Sequence, residues 1–171
     1  MEPQDLSVAR LTWLVGPPGA GKSTFAASQT QFRRVVELTA MLGPLVDSER
    51  IRHGVLTANG RLVRLIRELE LRVENRELAP LLVVAGLVPE EALFPLGEEE
   101  RVWLLRPDEL RWTRQLESRP SGGGSSGQYD DYEYSRLWYG RFAGWADRSG
   151  VELLDLPFRP ELLGRVVRAT S

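Results

Sequence analysis

The chain has 171 residues, 42% of them hydrophobic and 27% charged, with a formal net charge of −2. That length suits one domain around one sizeable core, and the near-neutral balance gives no general attraction to nucleic acid or to an anionic bilayer. The absence of cysteine and the single histidine, His53, exclude disulfides, thiolate metal sites, cysteine nucleophiles and multi-histidine metal centres.

The N-terminal MEPQDLSVAR carries acids where a secretory leader carries basic residues. No apolar run approaches the roughly 20 residues needed to span a bilayer. A cytoplasmic location without membrane contact is therefore expected. Leu11 to Val15 is a short apolar run ending at glycine and reads as a buried strand. A Gly/Pro segment follows, then a helix from Lys22 to about Thr30. Val35 to Leu38 reads as the second strand, and Gly43-Pro44 breaks any helix between Thr39 and Val55. Leu62, Leu65, Ile66, Leu69 and Val73 fall at helical spacing and predict an amphipathic helix from about Arg61 to Glu77. Leu81 to Ala85 is the third strand, and Pro89 opens a short helix to Leu93. Glu98 to Glu100 reads as a solvated acidic turn, and Val102 to Leu105 as the fourth strand.

Pro107 to about Ser118 predicts a helix carrying Arg111, Arg114 and, at its end, Arg119. SGGGSSG at Ser121 to Gly127 has the composition of a flexible loop. Tyr134, Leu137, Trp138, Phe142 and Trp145 mark a further helix with its aromatics at core spacing. Val151 to Leu156 is the fifth strand, and Pro160 opens a last helix through Val167. Strands alternate with helices, and the strands are apolar runs without polar alternation. That pattern predicts an α/β domain of three layers, with about five parallel strands covered on both faces. Residues 1–171 form a single domain on this reading, with no internal repeat.

Gly16-Pro17-Pro18-Gly19-Ala20-Gly21-Lys22-Ser23 fits G-x-x-x-x-G-K-[ST], the Walker A pattern of a P-loop. Glycines let the backbone come close to phosphate, and successive N–H groups up to Thr24 form an anion nest capped by a helix N-terminus. Lys22 is expected on the outer phosphates and the Ser23 hydroxyl on magnesium, with ATP or GTP as the ligand. The chain has 22 basic residues, and Lys22 is its one lysine; all the rest are arginine. Arginine replaces lysine on solvated surfaces but not where a compact ammonium must enter a small cradle.

The WLVGPPGAGKSTFA segment and the later layout resemble P-loop kinases of the polynucleotide-kinase and zeta-toxin type. The resemblance covers most of the chain in layout, and the P-loop is its specific part. It implies transfer of the γ-phosphate of ATP to a hydroxyl, with magnesium, the acceptor being a nucleic-acid or nucleotide hydroxyl or another small molecule. It also implies a lid, here at about 107–135, whose arginines reach the transferring phosphate, and Arg114 and Arg119 stand where those belong. In that family an Asp-x-x-Arg signature follows the second strand and an aspartate ends the third. Here those positions hold Thr39, Leu42 and Ala85. Glu37, Asp47 and Glu49 are the replacement candidates for the acceptor base, Glu37 because ligands gather at the carboxyl ends of parallel strands. His53 is read as a surface residue, and Tyr129, Asp130, Asp131 and Tyr132 as a helix start with acids in its first turn. The departures leave a second reading open: a nucleotide-binding switch, or a hydrolase acting on the triphosphate alone.

Overall fold

A computed structural model describes residues 8–17, 21–38, 51–86, 88–107, 110 and 138–156, with the side chains of 51–55, 107, 155 and 156 left undescribed. Five strands form one sheet: β1 (Leu11–Val15), β2 (Arg34–Glu37), β3 (Leu81–Ala85), β4 (Glu100–Pro107) and β5 (Val151–Leu156). Their order is β2-β3-β1-β4-β5, and every pairing is parallel. Among the described residues the helices are α1 (Lys22–Ser28), α2 (Ile51–Glu70), α3 (Glu90–Leu93) and helical residues 138–142. Two 3-10 segments, Val73–Leu78 and Trp145–Asp147, complete the description.

Side chains alternate across a strand, so continuous apolar runs serve two cores at once. On one face Leu11, Trp13 and Val15 of β1 join Val83, Val102 and Leu104 beneath Val63 and Ile66 of α2, with Trp138, Phe142 and Trp145 closing the cluster. On the other face Leu14, Val84, Trp103 and Leu105 meet Ala26 of α1 and Phe32. Both faces are therefore covered, as the apolar runs predicted. Trp138, Phe142 and Trp145 belong to the core: each is 2% exposed or less.

The helix expected at Arg61 to Glu77 is displaced. It starts at Ile51 and ends at Glu70, and a 3-10 segment takes over the last turns. Gly54 and Gly60 weaken the N-terminal half by propensity. Tertiary contact overrides this, because a Cβ at Gly60 would lie 2.9 Å from Pro89 Cγ. Gly60 thus lets α2 close on the start of α3. Asn75 ends the helix by donating its Nδ2 to Leu69 O at 2.7 Å.

Glu98–Glu100 is also corrected: Glu100 is 3% exposed and not solvated. Its carboxylate accepts Trp13 Nε1 at 3.0 Å and Arg67 Nε at 2.8 and 3.0 Å. Arg67 Nη1 donates to Ala92 O at 2.7 Å and Nη2 to Leu93 O at 2.6 Å. One ion pair therefore ties α2, α3, β1 and β4 together at the amino end of the sheet.

Candidate phosphate-binding site

β1 is the central strand, and the chain leaves its carboxyl end at Gly16. A Cβ at Gly16 would lie 3.0 Å from Leu105 O and 3.1 Å from Leu105 Cβ. The first glycine of the motif is thus required by the backbone of β4 behind it. Gly21, the last, caps α1 with φ +84° and ψ 27°, a left-handed conformation that glycine alone adopts without strain. α1 has no acid in its first turn and no side-chain cap. Phe25 N donates to Gly21 O at 2.8 Å, which starts the helix. Pro18, Gly19 and Ala20 lie outside the described residues.

Lys22 is the first residue of α1. Its Nζ turns back and donates to Pro17 O at 2.7 Å. Removal from water lowers its pKa from 10.5 to about 8, and the charge of Glu37 partly offsets this. Glu37 ends β2 and pairs in register with Val84 of β3, whose side chain belongs to the α1 core. Laterally paired residues share a face, so Glu37 stands on the α1 side of the sheet. It makes no direct ion pair with Lys22; β3 separates β2 from β1, a spacing of roughly 10 Å between their backbones. The one lysine and the carboxylate proposed from strand position thus share one end and one face of the sheet.

Ser23 is exposed, Thr24 is half-buried, and neither hydroxyl has a protein partner among the described residues. β3 ends at Ala85, 1% exposed and level with Val15 of β1, so no carboxylate closes that strand. Asp47, Glu49, Arg111, Arg114, Arg119 and the Tyr129–Tyr132 acids and phenols lie outside the described residues, as do Thr39 and Leu42. His53 falls in the first turn of α2. No cluster of three metal-ligating side chains occurs among the described residues.

The residues fit a phosphate group. Two glycines clear the backbone, the helix N-terminus is uncapped, and a desolvated ammonium rests on a loop carbonyl that a phosphate oxygen can replace. The free Ser23 hydroxyl fits a magnesium ligand. Sequence reasoning missed the Leu105 back wall, because nothing in the motif says which strand stands behind Gly16.

No family model and no curated protein matches the chain. Solved structures do. A sugar kinase from Janibacter sp. HTCC2649 aligns over 94% of this chain and 92% of its own, at 15% identity and a TM-score of 0.56. Shikimate kinase from Acinetobacter baumannii, in complex with shikimate, aligns over 95% and 93%, at 16% identity and 0.51. Thymidylate kinase from Candida albicans aligns over 95% and 91%, at 9% identity and 0.51. At such identities the likeness is one of fold: the chain has the P-loop kinase fold, a five-stranded parallel sheet flanked by helices.

Proposed function

We propose that the chain is an ATP-dependent phosphotransferase that moves the γ-phosphate to a hydroxyl acceptor. The observation that carries this reading is the placement of Lys22 and Glu37 on one face at the carboxyl end of the sheet. Gly16 to Thr24 would cradle the phosphates of ATP or GTP, with the Lys22 ammonium on the outer phosphates and the Ser23 hydroxyl on magnesium. Magnesium, when bound, neutralises phosphate charge. Glu37 would accept the proton of the acceptor hydroxyl as its oxygen bonds to the γ-phosphorus and the bond to the β–γ bridging oxygen breaks. Asp47 is the alternative base. Arg114 and Arg119 would stabilise charge on the transferring group. The polynucleotide-kinase-like layout favours a nucleic-acid or nucleotide hydroxyl as acceptor, in a single domain located in the cytoplasm. No helix among the described residues is long and apolar enough to cross a membrane.

Incubation with γ-labelled ATP and a panel of 5′-hydroxyl oligonucleotides, nucleosides and sugars tests the reading. Label should pass to one acceptor class, and Glu37→Gln should lower kcat by about a hundredfold with ATP affinity retained. Bound ATP with no transfer to any acceptor sinks it. The absence of a carboxylate at the end of β3 favours one second reading, a hydrolase or a switch. Phosphate release without an acceptor identifies the hydrolase, and nucleotide-dependent partner binding without turnover identifies the switch.

A further inference from the structure

Amine and thiol chemistry is confined to one point of this sequence. It has no cysteine, and of its 22 basic residues only Lys22 carries a primary amine on its side chain. Arginine keeps its proton in proteins and takes no acyl group under mild conditions. An α-amino group aside, an electrophile that seeks an amine has one target, and that target stands in the glycine loop.

The amine is also held in place. A Cβ on Gly16 would lie 3.3 Å from Lys22 Cδ, so the stem passes close along that glycine, and Nζ donates to Pro17 O at 2.7 Å. Lys22 is half-buried, so the loop mouth still admits small reagents. A nucleophile fixed beside a binding site reacts with a bound reagent far faster than with one free in solution.

We propose that Lys22 is a covalent modification site for acyl phosphates, the mixed anhydrides of a carboxylic acid and phosphoric acid; this rests on the reading of residues 16–24 as a phosphate site. The loop takes the phosphate group of the anhydride, which brings its acyl carbon beside the amine. Nζ, having given one proton to water, bonds through its lone pair to the carbonyl carbon. The bond from that carbon to the phosphate oxygen breaks, and its electron pair leaves on the phosphate. The proton still to be lost from nitrogen passes to the departing phosphate. The products are an amide and inorganic phosphate, and nothing is oxidised or reduced. The amide is uncharged and keeps one N–H where the ammonium had three. Acylation therefore switches the loop off, while the arginine-covered surface is left untouched.

Acetyl phosphate applied to the full chain tests this. Intact-mass measurement and peptide mapping should find one acetyl group on Lys22, formed at least about tenfold faster than on the N-terminal amine. Saturating magnesium-ATP should protect Lys22 and not the N-terminus. Acetylimidazole, which carries the same acyl group without a phosphate, should lose the preference for Lys22. Lys22→Arg should take no acetyl group beyond the N-terminus. Acetyl phosphate that marks both amines alike overturns the proposal. So does labelling of Lys22 that ATP does not block, or a preference that acetylimidazole shares. ATP binding measured in parallel by equilibrium dialysis separates two failures. A chain that binds ATP and leaves Lys22 unacetylated loses this inference alone; a chain that binds no ATP loses the phosphate reading with it.

Discussion

The two ends of the sheet each hold a cation and a carboxylate, and they treat them oppositely. At the amino end Arg67 and Glu100 are fully engaged with the protein: the Glu100 carboxylate takes its bonds inside the protein, and all three Arg67 nitrogens donate, to that carboxylate and to two carbonyls. At the carboxyl end Lys22 has one carbonyl and a distant Glu37, too little to compensate for the water it has lost. A largely buried pair bonded to several elements acts as a tie between them. A desolvated ammonium with one bond among the described residues, at the mouth of a glycine loop, retains donors for a ligand.

Five substitutions or titrations bear on this contrast. Lys22→Ala should reduce phosphoryl transfer on the order of a thousandfold without lowering the melting temperature, and at neutral pH should raise it, because the residue ties no elements together and its buried ammonium is under-compensated. Retained turnover would remove the loop from the chemistry. Arg67→Ala should do the reverse. It leaves Glu100 buried without its cation and should lower unfolding free energy by roughly 3–5 kcal/mol in denaturant titration, with turnover per folded molecule unchanged. A small stability loss would mean that Glu100 is hydrated.

Nucleotide affinity should fall by up to about tenfold per pH unit above pH 8, as the Lys22 ammonium loses its proton, and should be flat below about pH 7. Calorimetry should find proton uptake on binding near pH 8. The same depressed pKa has a consequence for folding. The unfolded chain binds more protons between about pH 8 and 10.5, so this group makes stability rise with pH across that window. The smallest effect is expected at Thr12, whose hydroxyl is fully buried in β1 without a partner among the described residues. Thr12→Val should stabilise the fold by about 1 kcal/mol and leave both ends of the sheet as they are.

The strands and the loop were legible because their signals are local. β1 and β3 are apolar runs bounded by breakers, and both cores draw on them. Glu37 was legible as a candidate from its place on a strand end. The limits of α2 were not, because Gly54 and Gly60 lower helix propensity before Arg61 and only the contact with Pro89 accounts for a glycine inside the helix. Val73 fits the helical period yet is largely exposed after the helix has ended. The Arg67–Glu100 tie joins residues 33 positions apart, and Trp13 joins it from 87 away. No periodicity records such a pairing, so three consecutive glutamates looked like surface.

The bond from Lys22 to Pro17 O also sets an entry threshold. Until an anion arrives, the loop is its own ligand, and the newcomer must first displace a charge-assisted hydrogen bond, an interaction worth about 1.5–3 kcal/mol. Groups that touch the cradle at one point recover little beyond that amount. A chain of phosphates that engages several N–H groups together recovers it many times over. The self-bonded lysine thereby discriminates by the number of contacts a ligand makes and so turns away single small anions.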